Sequence, residues 1–309
     1  MKIICLLTTV LFTNLALAQH STIKRCDYSI QDHRLLALNG PPHSKITSMI
    51  DSSVIITVEW VHPGKSPYKL NWIKDGVVIA GAVGTNLLGY QLISNKRDLT
   101  VEQLATKTRD KLPFFDRGNA GSYSSGANKD SYILFDASYG LPALVMLIDK
   151  SERSKFTQLF SLYVETITIT GAMYTVTAGL VYRSRPFVYG NKAPLDLRLS
   201  SGSQRSFYGG HVATTAASTF FIAKVFSDFH PNSRLQPYLW GGASGLTALM
   251  GYWRFRSGYH FLSDELVSFA FGATTGILIP QWHKRNILKN ISVSPSFNTQ
   301  KGVDIVYHL

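Results

Sequence analysis

The chain has 309 residues, of which 45% are hydrophobic, and a formal net charge of +12 at pH 7. This length allows one large domain or two small ones with a sizeable buried core. The basic residues are scattered rather than gathered in one stripe, which argues against a nucleic-acid-binding protein. The charge instead favours a phosphorylated ligand or an acidic membrane surface.

The first 18 residues have the pattern of an export signal. Lys2 supplies a positive charge, residues 3–17 are largely apolar, and residues 16–18 (Ala-Leu-Ala) form a small-residue cleavage site. The alternative is a retained membrane helix, although the apolar stretch is short for spanning a bilayer. Cys26 is the single cysteine of the mature chain, so we predict no intramolecular disulfide. We expect an exported protein, periplasmic or membrane-associated, with its active site outside the cytoplasm.

Four later stretches lack Asp, Glu, Lys and Arg for about the length of a membrane-spanning helix. They are rich in small residues, which allow close helix packing in a membrane but also suit helices buried in a soluble protein. We interpret them as membrane-associated helices, whereas the apolar run at residues 137–148 is too short to span. The four stretches are residues 76–95, 166–182, 235–253 and 266–282.

Three regions follow the signal. We interpret residues 19–150 as an N-terminal helical region with a connecting loop, and residues 151–285 as a helical catalytic core. Residues 291–297 and 303–309 are strand-like and are joined by a short polar segment. This pattern predicts a small β-hairpin within residues 286–309.

Short clusters of arginine and histidine mark predicted helix ends in the second half of the chain. In the first cluster, Arg185 precedes Pro186, which stops a helix and leaves a guanidinium at its end. That guanidinium can grip two phosphate oxygens, or it can hold the helix end near lipid head groups.

The second cluster is Gly209, Gly210 and His211, directly ahead of a predicted helix. Two glycines let the backbone approach a ligand, and the amides at a helix start favour an anion. His211 would then donate a proton to a leaving oxygen. The alternative is an ordinary glycine turn with a histidine near the helix cap.

The third cluster contains Arg254, His260 and Asp264. The last two are four residues apart, so they share one face if a helix begins near Tyr259, and the carboxylate can then orient the imidazole. This arrangement predicts an oriented histidine nucleophile. The alternative is a surface histidine with a nearby acid.

Together, the clusters resemble the motifs of the type 2 phosphatidic acid phosphatase superfamily, which also includes bacterial acid phosphatases and vanadium haloperoxidases. Those motifs read Lys, six residues, Arg-Pro; then Pro-Ser-Gly-His; then Ser-Arg, five residues, His, three residues, Asp. The three clusters match their order and spacing over residues 166–282. The resemblance implies an all-α helical bundle of the same kind.

The chain departs from these motifs at several positions. Ala178 stands in place of the lysine, Tyr208 and Gly209 replace Pro-Ser, and Trp253 replaces the serine. A charged phosphate contact and a hydroxyl contact are therefore missing, each of which can contribute about 2–4 kcal/mol to transition-state stabilisation. Three nearby arginines could replace the lost cation: Arg183, Arg205 and Arg256.

The resemblance implies a metal-independent phosphatase without a cofactor. His260 would attack phosphorus to give a phosphohistidine, His211 would protonate the departing oxygen, and Asp264 would orient His260. The substrate would be a phosphorylated small molecule or a lipid-linked phosphate. The phosphate oxygens would be held by Arg185, Arg254 and the amides of Gly209 and Gly210.

Two alternatives use the same pocket. One is a haloperoxidase that holds vanadate as its cofactor. The other is a non-catalytic bundle that binds an anionic lipid or partner, which the missing lysine and serine would favour.

Overall fold

The computed structural model describes residues 66–285 in full, together with the backbone of four strands at residues 45–50, 54–59, 291–296 and 302–307. The chain divides into two compact units, Ser66–His283 and the two ends of the chain. The predicted signal peptide at residues 1–18 and Cys26 lie outside the described residues.

The unit formed by the chain ends contains a four-stranded sheet in the order β1-β2-β4-β3. β1 (Lys45–Ile50) pairs antiparallel with β2 (Val54–Glu59), and β3 (Ile291–Ser296) pairs antiparallel with β4 (Gly302–Tyr307). The hairpin predicted within residues 286–309 is therefore present. β1 and β2, however, lie in the region that the sequence predicted as helical. The reason is composition, because β2 reads Val-Ile-Ile-Thr-Val-Glu and β-branched residues favour strands.

The unit Ser66–His283 is an all-α bundle, which confirms the predicted fold class. Within the described residues it contains α1 (Trp72–Ser94), α2 (Val101–Ala105), α3 (Ser125–Ile148), α4 (Lys150–Arg153), α5 (Phe156–Leu180), α6 (Leu195–Leu199), α7 (Gly210–Phe229), α8 (Gln236–Arg256) and α9 (Leu262–His283). Capping side chains fix several of the helix starts. Asn71, Thr100 and Ser124 accept hydrogen bonds from the first turns of α1, α2 and α3.

Helix α7 is the centre of the bundle. Every residue from position 212 to position 225 is buried, and α3, α5, α8 and α9 all pack against it. α9 approaches α7 most closely at Gly272 and Gly276, where a side chain would collide with the carbonyl oxygens of Ala213 and Ala217. The absence of a side chain at these two positions therefore lets the first half of α7 pack closely against the middle of α9.

Among the described residues, three helices are long and apolar enough to cross a membrane: α1, α3 and α9. α1 and α9 contain two of the four predicted stretches, residues 76–95 and 266–282. The other two, residues 166–182 and 235–253, lie in α5 and α8, whose many Thr, Gly and Ser residues lower their hydropathy. α3 differs from the prediction because its helix begins at Ser125, well before the short apolar run. These helices support membrane association of the chain.

Candidate active site

The first and third sequence clusters meet at the aromatic ring of Tyr259. The guanidinium carbons of Arg185 and Arg254 each lie 4.5 Å from the centre of this ring. Arg185 follows α5, Arg254 lies in the last turn of α8, and Tyr259 belongs to the turn that leads into α9. Cation–π contact with one ring therefore gathers two positive charges that lie far apart in the sequence.

Both guanidinium groups are buried, and neither forms a salt bridge within the described residues. Arg254 is 2% exposed and donates to Asn128 Oδ1 at 2.8 Å and to Ser131 Oγ at 3.2 Å. Arg185 donates from Nε to the Arg205 carbonyl at 3.4 Å. Within residues 66–285, neither guanidinium forms a salt bridge. Burial and the nearby Arg254 charge lower the pKa of Arg185 to about 10. Two adjacent buried cations that form no salt bridge are costly, which favours the binding of an anion between them.

His260 lies beside these cations and is held in one tautomer. Its Nδ1 is 2.6 Å from the carbonyl oxygen of Ser206. A carbonyl only accepts, so Nδ1 carries the proton and Nε2 keeps a lone pair. Burial, followed by the charges of Arg254 and Arg185, lowers the pKa of His260 well below its ordinary value. The imidazole is therefore neutral near pH 7, as a nucleophile requires.

Asp264 does not hold His260 directly, in contrast to the predicted pairing. α9 begins at Leu262, so His260 lies before the helix and the two side chains do not share a helical face. Asp264 Oδ2 accepts from Ser206 Oγ at 2.6 Å and from the Phe261 amide at 3.0 Å. Ser206 therefore connects the pair, since its carbonyl holds His260 while its hydroxyl is held by Asp264.

Of the three candidate replacement arginines, Arg183 is already paired with protein acids. It contacts Asp264 through one nitrogen and Asp116 through the other, the latter at 2.6 Å. Arg256 is exposed and donates to the hydroxyl of Tyr252 at 3.4 Å. Arg205 lies near the site, because its backbone carbonyl accepts from Arg185 Nε and its charge contributes to lowering the pKa of Arg185. Its Nε is buried and has no hydrogen-bond partner within the described residues.

The second cluster lies at the start of α7. The Gly209 amide donates to Ser268 Oγ at 2.7 Å, so it is not available to a phosphate as predicted. Gly210 is the first residue of α7, and no side chain caps this helix start. A Cβ at Gly210 would lie 2.9 Å from the ring of Tyr174, which explains the need for glycine there. The role of anion donor therefore falls to Gly210 and the amides that follow it.

His211, in the first turn of α7, is the second histidine of the candidate site. Its Nε2 is buried and has no hydrogen-bond partner among the described residues, and its ring lies 4.1 Å from that of Phe135. Burial, then the charges of Arg254 and Arg185, lower the pKa of His211 to about 2. The charge of His211 also contributes to lowering the pKa of His260. The structure thus brings both histidines to the same pair of guanidinium groups.

Two further charged residues of the site were missed in the sequence. Glu265 is buried, its two carboxylate oxygens have no hydrogen-bond partner within residues 66–285, and its charge acts on Arg254. A side chain at Gly209 would lie 2.8 Å from Glu265 Oε2, so this glycine leaves room for the acid. Its position in an apolar stretch directly after Asp264 was the available signal.

Lys96 is the second missed residue. Its Nζ donates to the Val181 carbonyl at 2.7 Å, just after α5. Burial, followed by the charges of Arg205 and Arg185, lowers the pKa of Lys96 to about 8. Lys96 therefore supplies a cation near the cluster, although the lysine of the family motif is replaced by Ala178. No local sequence signal connects Lys96 with a site that is formed more than 80 residues later.

A glycine turn fixes the position of Tyr259 and His260. Gly258 has a φ of 77°, and a side chain there would collide with the Ser122 carbonyl. The Gly258 carbonyl accepts a hydrogen bond from the Phe187 amide at 3.1 Å. The turn is therefore fixed on both sides by neighbouring backbone.

The three clusters and their spacing can be compared with known families. The family model described as the PAP2 superfamily matches residues 159–288, a stretch that includes Arg185, His211, Arg254, His260 and Asp264. Over this region the chain is therefore similar to the PAP2 superfamily. The resemblance found in the sequence is thereby confirmed, and it relates the chain to phosphatase-type enzymes.

The other comparisons add little. No curated protein matches the chain. A solved structure of a transmembrane PAP2-type phosphatidylglycerolphosphate phosphatase from Bacillus subtilis is similar at 16% sequence identity, with a TM-score of 0.39. That match covers 65% of this chain and 94% of the other.

Proposed function

We propose that the protein is a membrane-associated phosphatase that hydrolyses a phosphomonoester, either soluble or lipid-linked, through a phosphohistidine at His260. The observation that carries this proposal is the pair of buried guanidinium groups, Arg185 and Arg254, that form no salt bridge within the described residues and lie beside a neutral imidazole. A phosphate dianion would pair with both guanidinium groups and place phosphorus next to the nucleophile.

In the first step, His260 Nε2 attacks phosphorus while the bond to the leaving alcohol oxygen breaks. His211 gives its proton to that oxygen. In the empty site the Arg254 and Arg185 charges disfavour the protonated form of His211. A bound dianion neutralises those charges and thereby favours the proton on His211. The Ser206 carbonyl accepts from His260 Nδ1 and stabilises the positive charge that develops on the ring.

In the second step, His211 takes a proton from water, and the resulting hydroxide oxygen attacks the phosphoryl group. The bond between phosphorus and Nε2 breaks, inorganic phosphate leaves, and His260 returns to its neutral form. Arg185, Arg254 and the amides at the start of α7 hold the equatorial oxygens throughout, because positioning and charge stabilisation dominate phosphoryl transfer.

A lipid-linked substrate is favoured over a soluble one by the surface of the bundle. α1 exposes Ile73, Leu87 and Leu88, each by more than half, and three helices of the described part of the chain are long and apolar enough to span a bilayer. Exposed apolar surface of this kind favours contact with lipid tails. Export to the periplasm remains a prediction from the sequence.

The test is a substrate panel assayed on the purified chain in detergent, with phosphomonoesters, lipid phosphates and polyprenyl diphosphates. We expect phosphate release from the parent and from His230→Ala, whose imidazole lies at the other end of α7, but at least a thousandfold less from His260→Ala. Rapid quench of the parent should also trap a phosphoryl adduct on His260 that is stable in base and labile in acid.

Other outcomes favour the alternatives. Release that is equally fast in His260→Ala overturns the assignment of the nucleophile. Saturable phosphate binding without turnover on any substrate favours the non-catalytic bundle. Halide oxidation that depends on added vanadate favours the haloperoxidase.

A further inference from the structure

A second group of titratable side chains lies at the opposite end of α9 from the phosphatase site. Asp75 lies in the first turn of α1, Glu165 lies within α5, and His283 is the last residue of α9. We propose that these three side chains bind a divalent transition-metal ion such as Zn²⁺ or Mn²⁺, which joins the three helices. This site is independent of the proposed phosphatase chemistry.

The separations between the candidate ligand atoms fit one small ion. His283 Nε2 lies 3.3 Å from Asp75 Oδ1 and 3.5 Å from Glu165 Oε2. All three atoms lie within 4.8 Å of one another. Ligands bound at about 2.0–2.1 Å in a tetrahedral zinc site are roughly 3.3 Å apart, so the group needs only a small contraction.

The remaining polar atoms of His283 and Asp75 are already occupied in the way that orients metal ligands. His283 Nδ1 lies 2.8 Å from the Ile279 carbonyl, which only accepts, so Nδ1 carries the proton and Nε2 faces the two acids. Asp75 Oδ2 accepts from the Asn71 amide at 2.8 Å, which leaves Oδ1 directed at Nε2. A backbone carbonyl on the second imidazole nitrogen is a common support for a metal-bound histidine.

Glu165 provides a separate indication of a missing ligand. It is 4% exposed, and its Oε2 has no hydrogen-bond partner within residues 66–285, although this oxygen faces Nε2 of His283. His283 Nε2 lies near an oxygen of Asp75 and an oxygen of Glu165, but it forms a hydrogen bond with neither. A proton on Nε2 would therefore point to neither oxygen, whereas an ion between them would satisfy all three atoms.

A comparable group elsewhere in the bundle also has a buried carboxylate oxygen without a hydrogen-bond partner in the described residues, Glu152 Oε1, but its imidazole is already hydrogen-bonded. Asp149, Glu152 and His230 also cluster, but His230 Nε2 hydrogen-bonds Asp149 Oδ2 at 3.1 Å. That pair satisfies itself without an ion. It therefore offers a matched control that contains the same three residue types.

The expected consequence is attachment of α1 to the bundle. α1 packs mainly on α5, where a side chain at Gly89 would collide with Thr175 and one at Gly179 with Leu92. An ion at the N-terminal end of α1 would add a bond to both α5 and α9. α9 has 22 residues and is therefore about 33 Å long, which separates the ion from His260.

The test uses the purified full chain in detergent after chelator treatment and desalting. We expect the parent to bind about one Zn²⁺ or Mn²⁺ per chain with a higher Tm, and Mg²⁺ to have little effect, because imidazole ligands favour transition metals. Glu165→Gln and His283→Gln should each weaken binding at least tenfold and lose the rise in Tm. His230→Gln should behave as the parent does.

A spectroscopic measurement keeps the test independent of folding differences. Co²⁺ added to the parent should give visible absorption bands that are absent from Asp75→Asn, whose partly exposed position tolerates the change. Each variant is compared with its own metal-free form, so altered basal stability does not affect the result. The proposal is overturned if the parent binds no ion, if Glu165→Gln binds as tightly as the parent, or if His230→Gln removes the binding.

Discussion

The two ends of the bundle bury charges of opposite sign, and in both places the protein leaves part of that charge without a partner. At the start of α9, Arg185 and Arg254 are buried cations without a salt bridge in the described residues. At the end of α9, one carboxylate oxygen each of Asp75 and Glu165 lies beside His283 Nε2. The first end therefore favours the binding of an anion, and the second end favours the binding of a cation.

Arg183, in the same structure, is a cation that has acidic partners. It lies two residues before Arg185, yet it is held by both Asp116 and Asp264. Ser263 also donates to Asp116, at 2.8 Å. Buried charge with protein partners thus supports the fold, whereas buried charge without them marks a place for a ligand. Four measurements test this distinction.

The largest effect is expected where a satisfied ion pair is broken. Arg183→Gln leaves the carboxylates of Asp116 and Asp264 buried without a cation, which should lower the free energy of unfolding by about 3–5 kcal/mol. Denaturant unfolding in detergent measures this free energy of unfolding. Arg256→Gln is the control, because that exposed arginine has no acidic partner among the described residues and should change stability by less than about 0.5 kcal/mol. Equal stability of the two variants would contradict the distinction.

The next effect concerns the unpaired cation. Arg254→Lys keeps the charge but cannot reach Asn128, Ser131 and a phosphate oxygen together, so kcat/KM should fall about 100- to 1000-fold, which corresponds to roughly 3–4 kcal/mol. Unfolding should be affected much less than in Arg183→Gln. Steady-state kinetics on the best substrate of the panel measure kcat/KM for the variant and the parent. A loss below threefold would show that Arg254 does not hold the reacting group.

A third measurement concerns a buried acid that neither ligand site uses. Burial, reinforced by the charge of Asp149, raises the pKa of Glu152 from 4.5 to about 7. The pKa of Glu152 is higher in the folded protein than in the unfolded chain. The protonated carboxyl therefore contributes its full stabilisation below pH 4.5, and this contribution is lost as the pH rises through about 7. The expected loss is about 3 kcal/mol.

Glu152→Gln should remove that dependence. Its Tm should change less between pH 5 and pH 8 than the Tm of the parent does, since both proteins keep the neighbouring His230 and Asp149. Parallel curves for the two proteins would show that Glu152 ionises normally in the folded state.

The smallest effect is expected at Ser206, which connects Asp264 with the nucleophile. Ser206→Ala removes the hydroxyl bound by Asp264 but keeps the carbonyl that holds His260. We expect kcat to fall about tenfold or less, near 1 kcal/mol, with little change in KM. A change confined to KM would instead indicate that Ser206 acts on substrate binding.

The sequence revealed those parts of the site that depend on local pattern. Arg185, His211, Arg254 and His260 could be found because each lies at a helix end next to a proline, a glycine or a matched spacing. The structure places the two arginines on the Tyr259 ring, and burial together with the charges of both arginines lowers the pKa of each histidine. Partners distant in the chain gave no local signal, as Lys96 and Asp116 illustrate.

The predicted contact between His260 and Asp264 failed for a specific reason. The prediction depended on a helix that begins near Tyr259, but the turn at Gly258 delays α9 until Leu262. A one-turn shift in a helix start changes which side chains face each other. Ser206, 54 residues earlier, occupies the place that the acid was expected to fill.

The turn at Gly258 also restricts how this protein can vary. A library carrying all twenty amino acids at this position should retain only glycine after selection for active protein, because the Ser122 carbonyl occupies the space of any side chain and the backbone has a positive φ. Neighbouring exposed positions such as Arg256 should accept many replacements. The tolerance to substitution should therefore differ sharply between positions 256 and 258.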